Sequence, residues 1–279
     1  MAPDPGTVRH MRLPSRWYEG VPVAVVLAAA GALVGPTAVA APPGPLTYDA
    51  LGDSYASGYG VPPYDGACGR SEAAYAAQVD GRVRIDLDDL AACAGATTVS
   101  MVGGGQLDAF DEETRLVTLS IGGNDTGWSQ AVTACLVRDD ASCTAALDTV
   151  TGRIATTLPL LLDRAYTQVR ARAPRAEVIV TGYPRLFSPE HGAYGGASVE
   201  KQERLNAGAD LLNAVIAQAA AQHGFRFVDV TARFAGHGVN APEPWILPSG
   251  DPGAFHPNAE GYRAYATAVT VAVARAGIR

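Results

Sequence analysis

Short, almost unbroken apolar runs alternate along this chain with longer stretches in which apolar residues recur every three to four positions. The runs Leu46 to Leu51, Arg115 to Ile121, Ala176 to Thr181 and Phe225 to Val230 have the length and composition of strands buried on both faces. Val83 to Leu90 differs, because Val83, Ile85 and Leu87 alternate with charged residues as in a strand with one wet face. Helical spacing predicts helices over Glu72 to Val79, near Trp128 to Val137, from about Leu147 to Ala173, over Val199 to Gln222, and from Pro257 onward. Leu158, Leu161, Leu162, Ala165 and Val169 would form the buried side of the Leu147 to Ala173 stretch, which Pro159 should kink or break. A Cys-bounded loop, residues 185–197, and Ala235 to Phe255 read as irregular. Strands alternating with helices through the whole length predict an α/β domain, its parallel sheet covered on both faces.

The amino terminus changes that picture only by subtraction. Arg9, Arg12 and Arg16 precede an apolar run from Val21 to Val34, and Ala38-Val39-Ala40 has the small-x-small form of a cleavage site. Residues 1–40 are therefore expected to be a secretory signal peptide and 41–279 the catalytic domain, with Met1 and Met11 both open as the start. The run is short for a membrane span, which needs roughly 20 apolar residues, so no stable span is expected after cleavage. Removing this segment takes away three arginines and two acids, and the formal charge moves from −7 to −8. The remaining basic residues are scattered arginines and the single Lys201, which argues against nucleic acid or an anionic membrane surface as a partner. A monomer secreted to the cell exterior is expected. The four cysteines all lie in the exported part, and an even count in an oxidising compartment suggests two disulfides. Of the three connectivities, neighbour pairing is expected, Cys68–Cys93 and Cys135–Cys143. Their spacing is not that of a zinc site, and His191, His223 and His237 have no metal-ligand spacing and are expected at the surface.

Candidate chemistry collects at the predicted strand ends. The first strand stops in Gly52-Asp53-Ser54, the second runs into a small-residue turn containing Gly95, and the third stops at Gly122-Gly123-Asn124-Asp125. In a parallel sheet these ends lie side by side, where open α/β sheets place ligands. His256 stands at the mouth of the last helix. Taken one at a time, each has an ordinary structural explanation: Ser54 as a helix cap, Gly95 and Asn124 as turn residues, His256 as a helix-start residue. Gly103-Gly104-Gly105 completes neither glycine-rich phosphate motif, which removes the main support for nucleotide binding.

Four such blocks in order carry a resemblance to the SGNH hydrolases, also called GDSL lipases and esterases, above all to their secreted actinobacterial branch. Gly52-Asp53-Ser54 resembles the first block, Gly95 the second, Gly122-Gly123-Asn124-Asp125 the third, and His256 the last. The resemblance spans nearly all of the mature chain. No G-x-S-x-G occurs, which counts against the common α/β-hydrolase elbow. It implies a three-layer α/β/α sandwich with a parallel, flavodoxin-like sheet (the SGNH hydrolase fold). It also implies a secreted serine ester hydrolase that acts on lipid or small-molecule esters, without cofactor or metal. Ser54 would be the nucleophile and His256 the general base, while the backbone N–H groups of Ser54 and Gly95 and the Asn124 amide would form the oxyanion hole. Asp53 and Asp125 are expected to bond turn amides, and Trp128 and Trp245 to serve packing near the site loops.

In one place the chain departs from that family. The acid commonly found three residues before the histidine is replaced by Gly253. Either a backbone carbonyl near Gly253 accepts the His256 Nδ1 proton, which is the preferred expectation, or Asp251 reaches it. The competing functions are a carbohydrate O-deacetylase on the same fold and a noncatalytic envelope-binding protein, whose support is the missing acid.

Overall fold

The computed structural model describes residues 44–277, so the expected signal segment lies outside the described residues. Five strands, β1 (Leu46–Gly52), β2 (Ile85–Leu90), β3 (Leu116–Ser120), β4 (Glu177–Thr181) and β5 (Arg226–Val228), pair in the order β2-β1-β3-β4-β5. Every pairing is parallel. This is the flavodoxin-like strand order, and the sheet is covered by helices in three α/β/α layers. Central strands β1, β3 and β4 are almost entirely buried, which explains why they read as unbroken apolar runs. The edge strand β2 keeps the half-exposed alternation of its sequence.

The helices, in chain order, are α1 (Ser54–Ser57), α2 (Tyr75–Val79), α3 (Thr98–Gly103), α4 (Gly123–Thr126), α5 (Trp128–Val137), α6 (Asp140–Thr156), α7 (Leu158–Arg172), α8 (Val199–Gln222) and α9 (Ala259–Ala276). On one face α2 packs against α9, with Tyr75 and Tyr265 stacked at 5.6 Å between ring centroids. A second packed series runs from α3 through α7 and α8 to α6 and α5. The turns that carry Ser54, Gly95 and Asn124 leave the carboxyl ends of β1, β2 and β3, Tyr183 follows β4, and His256 lies in the segment after β5.

Several boundaries differ from the sequence expectation, each for a local reason. Strand β2 starts at Ile85 because Val83 and Arg84 sit at φ +44° and +64°, in a turn closed by Gly81 N–H to Ile85 O at 2.9 Å. The segment between Cys135 and Cys143 is no extended loop. Helix α6 starts at Asp140, capped by the Asp139 carboxylate accepting from Ser142 N–H at 2.7 Å, so both cysteines are helical. Pro159 breaks the long helix rather than bending it, since α6 ends at Thr156 and α7 restarts at Leu158 with the proline in its first turn. The last helix starts at Ala259, two residues later than Pro257, because Asn258 is its cap and accepts from Gly261 N–H at 3.0 Å.

Candidate active site

The turn after β1 is fixed from three sides. Gly52 has φ +128°, and a side chain there would collide with the Ser120 carbonyl on β3, so only glycine lets the strand stop this close to its neighbour. The buried Gln106 side chain clasps Gly52 twice, accepting from its N–H at 2.8 Å and donating to its carbonyl at 2.9 Å. Asp53 then caps α1, its carboxylate accepting from Tyr55 N–H at 3.0 Å. The result is a nearly buried Ser54 whose Oγ lies 2.7 Å from His256 Nε2.

His256 arrives from the irregular segment between β5 and α9, and its backbone is pinned by exchange with Leu247. Leu247 N–H donates to His256 O at 2.9 Å, and Phe255 N–H to Leu247 O at 3.0 Å. Phe255 holds φ +64°, unusual for an aromatic residue, and its carbonyl accepts from Tyr55 Oη at 2.6 Å. The residue after Ser54 thus bonds the residue before His256, coupling the two segments directly. On the far side of the ring, Nδ1 lies 3.0 Å from Ala254 O and 3.2 Å from Gly253 O. Asp251 does not meet the ring; its Oδ1 accepts from Gly253 N–H at 2.7 Å and so braces the carbonyl turn. Gly253 itself is packed so closely on Gly60 that an added Cβ would stand 2.5 Å from Gly60 Cα. Burial holds the imidazole pKa below its ordinary 6.5, against the opposing pull of the two carbonyls.

Opposite the histidine, Asn124 lies in α4 and its Nδ2 donates to Ala96 O at 2.9 Å. A primary amide carries two N–H donors, so one remains for the cavity that Ser54, Gly95 and Asn124 line together. Asp125 ties this turn to α3, accepting from Thr98 N–H at 3.0 Å and from its hydroxyl at 2.6 Å. Tyr183, at the end of β4, bridges the remaining gap: its hydroxyl accepts from Gly123 N–H at 3.1 Å and donates to Asp53 Oδ2 at 2.5 Å. Burial pushes the Asp53 carboxyl up to about 7, with the Tyr183 hydroxyl pulling the other way. The Cys68–Cys93 disulfide fastens the loop after α1 to the turn that presents Gly95, and Ala94 N–H adds a bond to Cys68 O at 2.9 Å. The second disulfide, Cys135–Cys143, joins α5 to α6.

These groups stand around a cavity of about 380 Å³ whose wall is largely apolar, with Trp128, Val132, Leu186, Leu212 and Phe255 contributing. Trp245 does not line it and stacks instead on His237 at 3.7 Å between centroids. His191 is exposed beside Glu190, while His223 is largely covered and meets Asp163 at 3.0 Å. Sequence reasoning missed Tyr55, Gln106 and Tyr183, which fix the turns around Ser54, His256 and Asn124. Tyr183 could have been found, since Gly182-Tyr183-Pro184 follows a fourth strand end. Gln106 gave no signal. Among the described residues, the group of acids spaced to hold a cation is Asp49, Asp88 and Asp89, and none of them lines this cavity.

Residues 50–264 match the family model described as the GDSL-like lipase/acylhydrolase family. A lipase of Streptomyces rimosus is 39% identical over 247 residues, covering 85% of this chain and 91% of that protein. Lipase 1 of Streptomyces coelicolor matches with the same identity and coverage. Among solved structures, the extracellular lipase of Streptomyces rimosus superposes with a TM-score of 0.76 at 37% identity, covering 81% of this chain and 99% of that one. Phospholipase A1 from Streptomyces albidoflavus gives 0.74 at 36% identity, again covering 81% and 99%.

Proposed function

The chain belongs to the GDSL-like lipase/acylhydrolase family and is a carboxylic ester hydrolase, and from this premise we propose that Ser54 and His256 form its catalytic dyad, cleaving acyl esters outside the cell. The observation that carries the reading is the 2.7 Å contact between Ser54 Oγ and His256 Nε2 at the edge of an apolar cavity. His256 takes the Ser54 proton as Oγ attacks the ester carbonyl carbon. The carbonyl oxygen becomes an oxyanion held by the backbone N–H groups of Ser54 and Gly95 and by the Asn124 amide. Collapse expels the alkoxide, which receives the proton from His256 and leaves an acyl-Ser54. Water, deprotonated by His256, then attacks the acyl carbon, and the carboxylic acid departs as Ser54 regains its proton. The imidazolium formed on the way donates Nδ1–H to the Ala254 and Gly253 carbonyls, which hold the ring in the right tautomer.

The apolar wall suits an acyl chain better than a sugar ring, and this favours lipid or medium acyl esters over polysaccharide acetates. Export is supported by the two disulfides and by the extracellular lipase among the relatives. Hydrolysis of p-nitrophenyl esters from acetyl to palmitoyl, by wild type and Ser54→Ala, tests the proposal. Wild-type turnover that rises beyond acetyl and vanishes in the variant is expected. Turnover restricted to acetyl would favour the deacetylase, and activity retained by a folded Ser54→Ala would remove Ser54 as nucleophile.

A further inference from the structure

Strand β1 carries one charged residue in the interior of the sheet, Asp49, at a place where the pairing with the edge strand slips. Tyr48 faces Leu87 but Asp49 faces Asp89, so Asp88 is an extra residue on β2. At such a bulge two residues of one strand oppose a single residue of the other, and here both are aspartates turned towards a third. Asp88 and Asp89 are exposed, whereas Asp49 is fully buried. Asp49 Oδ2 accepts from the Thr114 hydroxyl at 2.7 Å, while Oδ1 is buried with no hydrogen-bond partner. One oxygen from each carboxylate lies within 4.8 Å of the others, a span that matches the diameter of a calcium coordination sphere, about 4.6–5.2 Å. Among the described residues no basic side chain is ion-paired with any of the three.

Three carboxylates held together by backbone pairing repel one another, and a buried oxygen without a donor adds a desolvation cost. A hard cation removes both penalties, whereas water on the exposed side relieves only the first. We propose that Asp49, Asp88 and Asp89 bind a calcium ion that locks β2 onto β1. The open side leaves room for the water ligands that complete six- to eightfold coordination, and a site with this few protein ligands belongs in the roughly 10⁻⁴–10⁻³ M affinity range of extracellular modules. The ion would do no chemistry on the ester. It would stiffen the edge strand that leads into the disulfide-tethered turn carrying Gly95.

Thermal unfolding of the full chain in CaCl2, against KCl at matched ionic strength and after chelation, tests this. A saturable rise in the midpoint of roughly 3–6 °C at ten times Kd is expected for wild type. In Asp88→Asn/Asp89→Asn, whose changes are isosteric and exposed, the rise should disappear while esterase turnover in chelator stays at the wild-type level. The absence of a saturable rise in wild type, or an equal rise in the double variant, would overturn the proposal. It would equally be overturned if Asp49→Asn raised the midpoint in chelator and calcium had no effect on wild type, because a proton would then be the site's only occupant.

Discussion

Asp251→Ala separates two ways of orienting His256, the proposed general base, that differ by orders of magnitude in consequence. If the Asp251 carboxylate were the partner of His256 Nδ1, its loss would resemble removal of a triad acid, about 10⁴-fold in kcat. In the structure Asp251 instead accepts the Gly253 N–H at 2.7 Å, and Gly253 and Ala254 supply the carbonyls facing Nδ1. A hydrogen bond to a charged group contributes about 1.5–3 kcal/mol, so if all of it acted on the transition state the loss could not exceed roughly 10- to 150-fold. Three further bonds keep the turn in place: Tyr55 Oη to Phe255 O, Phe255 N–H to Leu247 O, and Leu247 N–H to His256 O. The expected loss is therefore at the low end, about 3- to 30-fold in kcat/KM, and Asp251→Asn, which keeps the acceptor, should fall less. The assay is kcat/KM on a soluble p-nitrophenyl ester, with a thermal melt to establish that each variant is folded. A folded Asp251→Ala enzyme that has lost 10³-fold or more would refute the carbonyl arrangement.

The pH profile and one tyrosine give further tests. His256 must be neutral to accept the Ser54 proton, and burial holds its pKa below 6.5, so the acid limb of kcat/KM should fall through a midpoint below 6.5; a midpoint above it would indicate a carboxylate on Nδ1. Tyr183→Phe strands the Gly123 N–H and removes the donor to Asp53, so a destabilisation of about 1–3 kcal/mol by urea titration is expected. Because the Asp53 pKa is raised to about 7, its favourable contribution is present at acid pH and lost as pH rises through that value. Losing the Tyr183 donor raises the pKa further, so the variant's deficit should be larger at pH 8 than at pH 5, and equal deficits would contradict the assignment.

By itself the sequence determined the order of the layers and pointed to the residues proposed here to react. Apolar runs of six to seven residues separated by helical periods leave a parallel sheet as the simplest packing; β3 and β4 lie within the runs that predicted them, and β1 extends its run by one residue, to Gly52. Ser54, Gly95, Asn124 and His256 were legible because strand-to-helix turns demand small or capping residues at fixed offsets, and those demands are local. Boundaries such as Ile85 and Ala259 were not, since a left-handed turn at Val83 and Arg84 and a cap at Asn258 rather than Pro257 depend on which hydrogen bonds the folded chain closes. Only the tertiary structure decided what stands behind the His256 imidazole and what braces the turn that carries Ser54. Between the two partners the sequence left open for His256, the fold chose the carbonyl side only three residues away, whereas Gln106 and Tyr183 act through partners 54 and 130 residues distant, and no local pattern encodes contacts that exist only after the sheet has brought its strand ends together.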